Sequence, residues 1–174
     1  MADSIKGKKY LEYPEEISKG IQLHRFIDNF TDTHPIVSNT KLMLRPHFGR
    51  YSPLVSDIVY DHFLALNFEQ ITGLNLEAFV AEVYAYMHQH QSDMTDFAKG
   101  VIPYMSKHNW LVNYQHKEGL QKIFNQFGRR IGVAELFDNV TDVVWNDYSK
   151  YESDFYEFWK ELESASDKKM KEIM

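Results

Sequence analysis

The sequence predicts an all-α protein built as a single-domain helical bundle over residues 1–174, and three observations carry that reading. Apolar residues recur at three- and four-residue spacing, as in Leu76, Phe79, Val80, Val83 and Met87, which is the period of a helix with one buried face. Residues that start helices stand before such segments: Pro14 with Glu15 and Glu16, and the pair Ser52-Pro53. No run of period-two alternation marks a strand, and no repeat or flexible linker divides the chain.

The first helix is expected over residues 14–31, ending at Thr33-His34-Pro35 because the residue before a proline disfavours the helical region. Val37 to Leu44 reads as a short helix and Arg45 to Ser52 as a loop. A helix follows from Pro53 to about Phe68, Thr72-Gly73 breaks the chain, and Asn75 opens a helix to about His90. Ser92 or Asp93 caps the next one, to about Lys107 and interrupted by Gly100 and Pro103. Trp110 to Lys117 and Gly119 to Arg130 read as two more, the second ending at Gly132. The last is expected from Asn139 or Thr141 towards the terminus, with Val144, Tyr148, Tyr151, Phe155, Phe158 and Trp159 as its apolar side; after Ser164 it becomes charged and is expected to fray.

Composition narrows the function. With 44% apolar and 15% aromatic residues the chain favours a folded globule over disorder. The absence of cysteine rules out disulfides and thiolate zinc sites, so any metal must take nitrogen and oxygen ligands. No apolar run approaches the ~20 residues needed to span a bilayer, and no signal-peptide core opens the chain; the expected location is cytoplasmic. A net charge of -6 argues against general nucleic-acid binding. Basic residues still cluster, at Lys6, Lys8 and Lys9, at Lys41, Arg45 and Arg50, and at Lys122, Arg129 and Arg130. Each cluster is either a solvated face or a docking patch for an anionic partner.

The polar residues of two helices stand where apolar ones belong. At about 100° per residue, His24 and Asp28 fall in line with Ile17 and Ile21. On the helix after Pro53, Asp57 and Asp61 share a face with Leu54, Leu64 and Phe68, while His62 lies among Val55, Val59 and Leu66. Charged groups on a core-facing stripe are costly unless they are paired or bound to a metal, so the expectation is one shared polar site inside a helical core. Imidazole with several carboxylates suits Mn²⁺, Mg²⁺ or Fe²⁺, and zinc is compatible; such an ion supports hydrolysis of a phosphate ester. The structural reading of the same residues is an internal network: His24 bonding Asp28, Asp57 and Asp61 capping helices or pairing with Arg25, and Asp32 and His34 serving as turn residues. There is no glycine-rich phosphate loop and no Gly-x-Ser-x-Gly motif.

The stretch from Gly20 to Pro35, containing His24, Asp28, Asp32 and His34, resembles the signature of the acyl-carrier-protein phosphodiesterase family, and Asp57 to Ala65, with Asp61 and His62, resembles its second block. The opening Ala2-Asp3 to Gly7 is similar to the family's Ala-Asp-x-x-Lys-Gly segment, and Asn109-Trp110-Leu111, Tyr114, Gly119 and Arg129-Arg130 to a further stretch. The resemblance spans nearly the whole chain. It implies a helical fold distantly related to HD-type phosphohydrolases, and hydrolysis of the 4'-phosphopantetheine arm from holo-acyl carrier protein with Mn²⁺ favoured. It places Asp3, His24, Asp61 and His62 as metal ligands, and Asp28, Asp32, His34 and Asp57 as catalytic residues around them. It also implies a strongly acidic partner, for which Arg129 and Arg130 with Lys122, or else Arg45 and Arg50, form the receiving patch. Members of the family carry a further helical segment, with an Asn-x-Leu-Ala-His sequence, before the Ala-Asp stretch; Met1 stands directly before Ala2-Asp3, so that helix and one site histidine are expected to be missing. The other readings are an HD-like hydrolase of a small phosphoester or nucleotide, and a non-catalytic helical protein that binds a partner.

Overall fold

A computed structural model of the protein describes residues 5–174; the candidate Asp3 lies outside them. Among the described residues every regular element is a helix. The ten α-helices are α1 (Glu15–Thr33), α2 (Pro35–Phe48), α3 (Ser52–Leu66), α4 (Phe68–Thr72), α5 (Leu76–Gln89), α6 (Asp96–Lys107), α7 (Trp110–Asn113), α8 (Lys117–Ile131), α9 (Val140–Asn146) and α10 (Tyr148–Ile173). The all-α reading therefore holds.

Helix α3 lies at the centre because it is apolar on most of its circumference. Val55, Ile58, Val59, Tyr60, Phe63 and Ala65 are all buried there. Phe63 is wholly enclosed, a burial that contributes about 1.5–3 kcal/mol. Leu44 and Phe48 of α2, Leu120, Ile123 and Phe124 of α8, Val140 and Val144 of α9 and Tyr151, Phe155 and Phe158 of α10 complete one continuous core. The ring of Phe155 meets Phe63 at 5.7 Å between centroids and Tyr60 edge-on at 5.8 Å. Helix α2 returns along α3 as a hairpin through a single 3₁₀ turn, Gly49–Tyr51, and a hydrogen bond of 3.0 Å between Thr40 Oγ1 and Tyr60 Oη fixes their register. Helix α1 packs on α10, and its Arg25 donates to the carbonyl oxygens of Ile5 and Gly7, tying down the segment before it. That contact replaces the pairing of Arg25 with Asp57 or Asp61.

Several expectations about elements change, the first being that α6 is capped by Thr95 rather than by Ser92 or Asp93 and runs unbroken through Gly100 and Pro103. The loop over Arg45 to Ser52 is instead helical: α2 continues through Pro46 to Phe48, and the 3₁₀ turn Gly49–Tyr51 leads straight into α3 at Ser52. Leu44 and Phe48 are buried and hold the last turn in place, while Pro46 is exposed, so the carbonyl it leaves unbonded can meet water. The single final helix is two, α9 and α10, parted at Asp147, which lets both Trp145 and Tyr148 pack on His62. Beyond Ser164, α10 does not fray; it runs to Ile173, and Ser164, Ala165, Lys168 and Lys169 line a groove with Phe26 and Phe30 of α1.

Helices α7 and α8 meet too closely for a side chain at Gly119, where a Cβ would lie 2.2 Å from the Asn113 carbonyl oxygen. Gly119→Ala should lower stability by about 1–3 kcal/mol, read as a fall in Tm by thermal denaturation; an unchanged Tm would show that the junction can give way.

Candidate active site

The residues singled out on α1 and α3 meet in a cleft of about 930 Å³ between α1, α3 and α10. Helix α1 lends His24, Asp28 and Asp32, at i, i+4 and i+8 on one face. Helix α3 lends Asp57, Tyr60, Asp61 and Leu64, again at helical spacing. Phe155, Phe158, Trp159 and Leu162 of α10 form an apolar wall opposite, with Glu163 and Asp167 beyond.

His24 Nε2 lies 3.2 Å from Asp28 Oδ2, and the two side chains are 40% and 46% exposed. This corrects the expectation that they point into the core. The stripe is buried at Ile21 and then passes into the cleft, where water reaches both groups and removes most of the cost of burying charge. Asp57 and Asp61 likewise open onto water in the cleft, yet protein surrounds the foot of the cleft and crowds out hydration. For Asp57 this burial lifts the carboxyl pKa to about 6, opposed by the Lys41 charge and reinforced by Asp32 and Asp28. For Asp61 burial lifts it to about 7, reinforced by the charge of Asp57 and opposed by a hydrogen bond from the Tyr114 hydroxyl. Asp32 is held by Lys41, Nζ to Oδ1 at 2.8 Å.

Two predicted residues are not in the cleft. His62 is buried in the core; its Nδ1 is 2.7 Å from the Tyr114 carbonyl oxygen and its Nε2 is 3.0 Å from the Tyr148 hydroxyl. With a protein partner at each ring nitrogen it ties α3 to α10 and to the end of α7, and it does not line the site. His34 caps α2, its Nδ1 accepting from the Ile36 N–H at 3.3 Å, while its Nε2 faces Glu161 Oε2 at 3.2 Å; it too is buried and outside the cleft. Conversely, Tyr60, Tyr114, Glu163, Asp167 and the α10 wall belong to the site and its surroundings without having been singled out for it. Phe155, Phe158 and Trp159 showed as an apolar face, but nothing in their spacing separates lining a cleft from filling a core.

Of the candidate docking cations, Arg45 lies on the exposed side of the last turn of α2, and Arg50 is exposed in the turn joining α2 to α3. Lys122, Arg129 and Arg130 are exposed on α8. Arg129 and Arg130 border a separate cavity of about 570 Å³ between α6, α7 and α8, which shares no lining residue with the acidic cleft.

The donor chemistry of the cleft fits a hard divalent cation in kind: imidazole nitrogen and carboxylate oxygens, with Asp57 and Asp61 repelling each other across one helical turn until positive charge relieves them. Among the described residues no three such donors already stand close enough to enclose an ion, so the fit is one of chemistry rather than of a finished cage.

Fold and cleft together define a helical protein with a carboxylate- and imidazole-lined site beside an apolar wall. The chain belongs to the acyl carrier protein phosphodiesterase family, whose description matches residues 1–162. Curated relatives of the same name include those of Photorhabdus laumondii, 24% identical over 97% of this chain and 86% of the relative, and Klebsiella pneumoniae strain 342, 29% identical over 97% and 88%. That of Enterobacter sp. strain 638 is 28% identical over 93% of this chain and 84% of the relative. No solved structure matches the chain.

The raised carboxyls make stability depend on pH. A folded pKa above the unfolded value of 3.8 means that the folded state holds a proton the unfolded state has released. The contribution is therefore full below about pH 4 and is lost as pH rises through about 6 to 7. Exposure to water keeps the effect well below the full shift. In metal-free protein, Asp61→Asn should match the wild-type Tm near pH 4 and exceed it at pH 8 by on the order of 2–4 °C. A constant difference across that range would show that Asp61 is ordinarily hydrated.

Proposed function

We propose that this chain hydrolyses the 4'-phosphopantetheine arm from holo-acyl carrier protein, leaving apo-carrier protein, in the cytoplasm and with a divalent ion, Mn²⁺ first. Family membership makes the chain a hydrolase of phosphodiester bonds, and no helix among the described residues is long and apolar enough to cross a membrane. The observation that carries the reading is the convergence of His24, Asp28, Asp57 and Asp61 from two helices on one open cleft.

In this reading Asp57 and Asp61, with His24 set in orientation by Asp28, would hold the ion. When bound, it supplies positive charge to the phosphoryl oxygens and lowers the pKa of attacking water. Water adds to phosphorus, the bond from phosphorus to the carrier's hydroxyl oxygen breaks, and a proton returns to that oxygen. The residues of the chain supply position. Lys41 holds Asp32 at the rim by an ion pair of 2.8 Å. Phe158, Trp159 and Leu162 offer an apolar wall for the carbon-rich part of the arm, and the size of the cleft lies within the ~300–1,000 Å³ usual for small-molecule sites.

The test is mass spectrometry of holo-carrier protein incubated with the chain and Mn²⁺, which should show conversion to the apo form. Asp61→Asn should cut kcat by on the order of 100-fold or more with the helical circular dichroism signal unchanged. Hydrolysis of nucleotides or small phosphoesters with none of holo-carrier protein would favour the small-substrate hydrolase. Carrier binding that survives Asp61→Asn, without metal binding or hydrolysis, would favour the binding protein.

A further inference from the structure

The cleft presents a charge problem to any phosphodiester-bearing macromolecule. Its polar lining is acidic and the whole chain carries -6, so an anionic substrate approaches against repulsion unless cations lie beside the entrance. The geometry points to the α2–α3 hairpin as that entrance: a cationic stripe of Arg45 and Arg50, leading outward from the Lys41–Asp32 pair at the rim with exposed Leu42 beside it, on which an acidic carrier protein docks. This inference rests on the function proposed above and adds the surface that delivers the substrate.

Register places the stripe. The Thr40–Tyr60 hydrogen bond sets residue 40 of α2 level with residue 60 of α3, and the two helices are joined at Gly49–Tyr51. Positions later in α2 therefore lie nearer the start of α3. Lys41 stands at the rim itself, its ammonium 2.8 Å from Asp32, which lines the cleft. Arg45 is four residues on, about 6 Å along the same face, and exposed. Arg50 lies in the connecting turn, its guanidinium stacked 4.9 Å over the Tyr51 ring and donating to the Tyr51 hydroxyl at 2.7 Å, which steadies a long side chain at the hairpin tip. Leu42 is 60% exposed, an apolar contact flanked by cations. Lys41, 17% exposed and paired with Asp32, anchors the stripe at the mouth of the cleft, and the positive charge open to a partner lies outward of it on Arg45 and Arg50. Arg129 and Arg130, the competing patch, border the α6–α7–α8 cavity, which shares no lining residue with the cleft.

The experiment is steady-state hydrolysis of holo-carrier protein by wild type, Arg45→Glu with Arg50→Glu, and Arg129→Glu with Arg130→Glu, alongside thermal melts. The hairpin pair should raise KM at least tenfold with kcat held, and should flatten the dependence of KM on salt; the α8 pair should leave KM within twofold. Should the double variant melt early, Arg45→Glu alone carries the same test, since that side chain is exposed. A rise in KM from the α8 pair and not the hairpin pair, or equal effects from both or from neither, overturns the surface. If wild type leaves holo-carrier protein intact, the proposed function fails instead. Calorimetric titration with apo-carrier protein then decides the surface by itself: binding lost in the hairpin variant supports it, and equal binding or none in wild type overturns it.

Discussion

The burial of α3 is the constraint on which the rest of the structure depends. Most of its circumference is enclosed by α2, α8, α9 and α10, which is where its run of valine, isoleucine and aromatic residues requires it to be. Two residues cannot share that environment. Asp57 and Asp61 stand one turn apart, and closing the core over both would strand two like charges out of water at a cost that the Lys41 charge and the Tyr114 hydrogen bond only partly offset. The helices around α3 accordingly leave one side open, and that opening is the cleft. The site is the place where the core is prevented from closing.

Helices α1 and α10 shape what remains. They pack on each other, α10 through aromatic residues that also reach α3, as in the contact of Phe158 with Tyr60 at 5.5 Å. Their separation beside α3 sets the width of the cleft, with His24 and Asp28 on one bank and Trp159 and Leu162 on the other. One side of the site is thus charged and the other apolar, an arrangement suited to a ligand with a phosphate at one end and carbon along its length. Lys41 is the cation closest to this balance: it pairs with Asp32 and its charge opposes the rise in the Asp57 carboxyl.

The histidines show how far local sequence carries. His24, His34 and His62 all stand in family-like blocks, and each follows or precedes an acidic residue at suggestive spacing. Only His24 reaches the cleft. His62 points about 100° around α3 from Asp61, and that angle takes it into the core, where the Tyr114 carbonyl and the Tyr148 hydroxyl engage its two nitrogens. His34 precedes a proline and becomes the cap of α2, with its other nitrogen towards Glu161. The wheel of α3 correctly set His62 apart from the two aspartates. It could not say that the aspartates' side would be open and the histidine's side closed.

Local sequence by itself determined the helical class, most helix positions and the two segments that build the site. Those follow from apolar periodicity, caps and helix-breaking residues, which act within a few turns of chain. It could not determine that α2 would run on through Pro46, because the packing of Leu44 and Phe48 outweighs a proline's local cost. Nor could it assign the polar stripes of α1 and α3 to a water-filled cleft rather than a buried network. An amphipathic pattern says which residues share a face. What covers that face is decided by helices distant in sequence, here α10, and only tertiary packing brings them there.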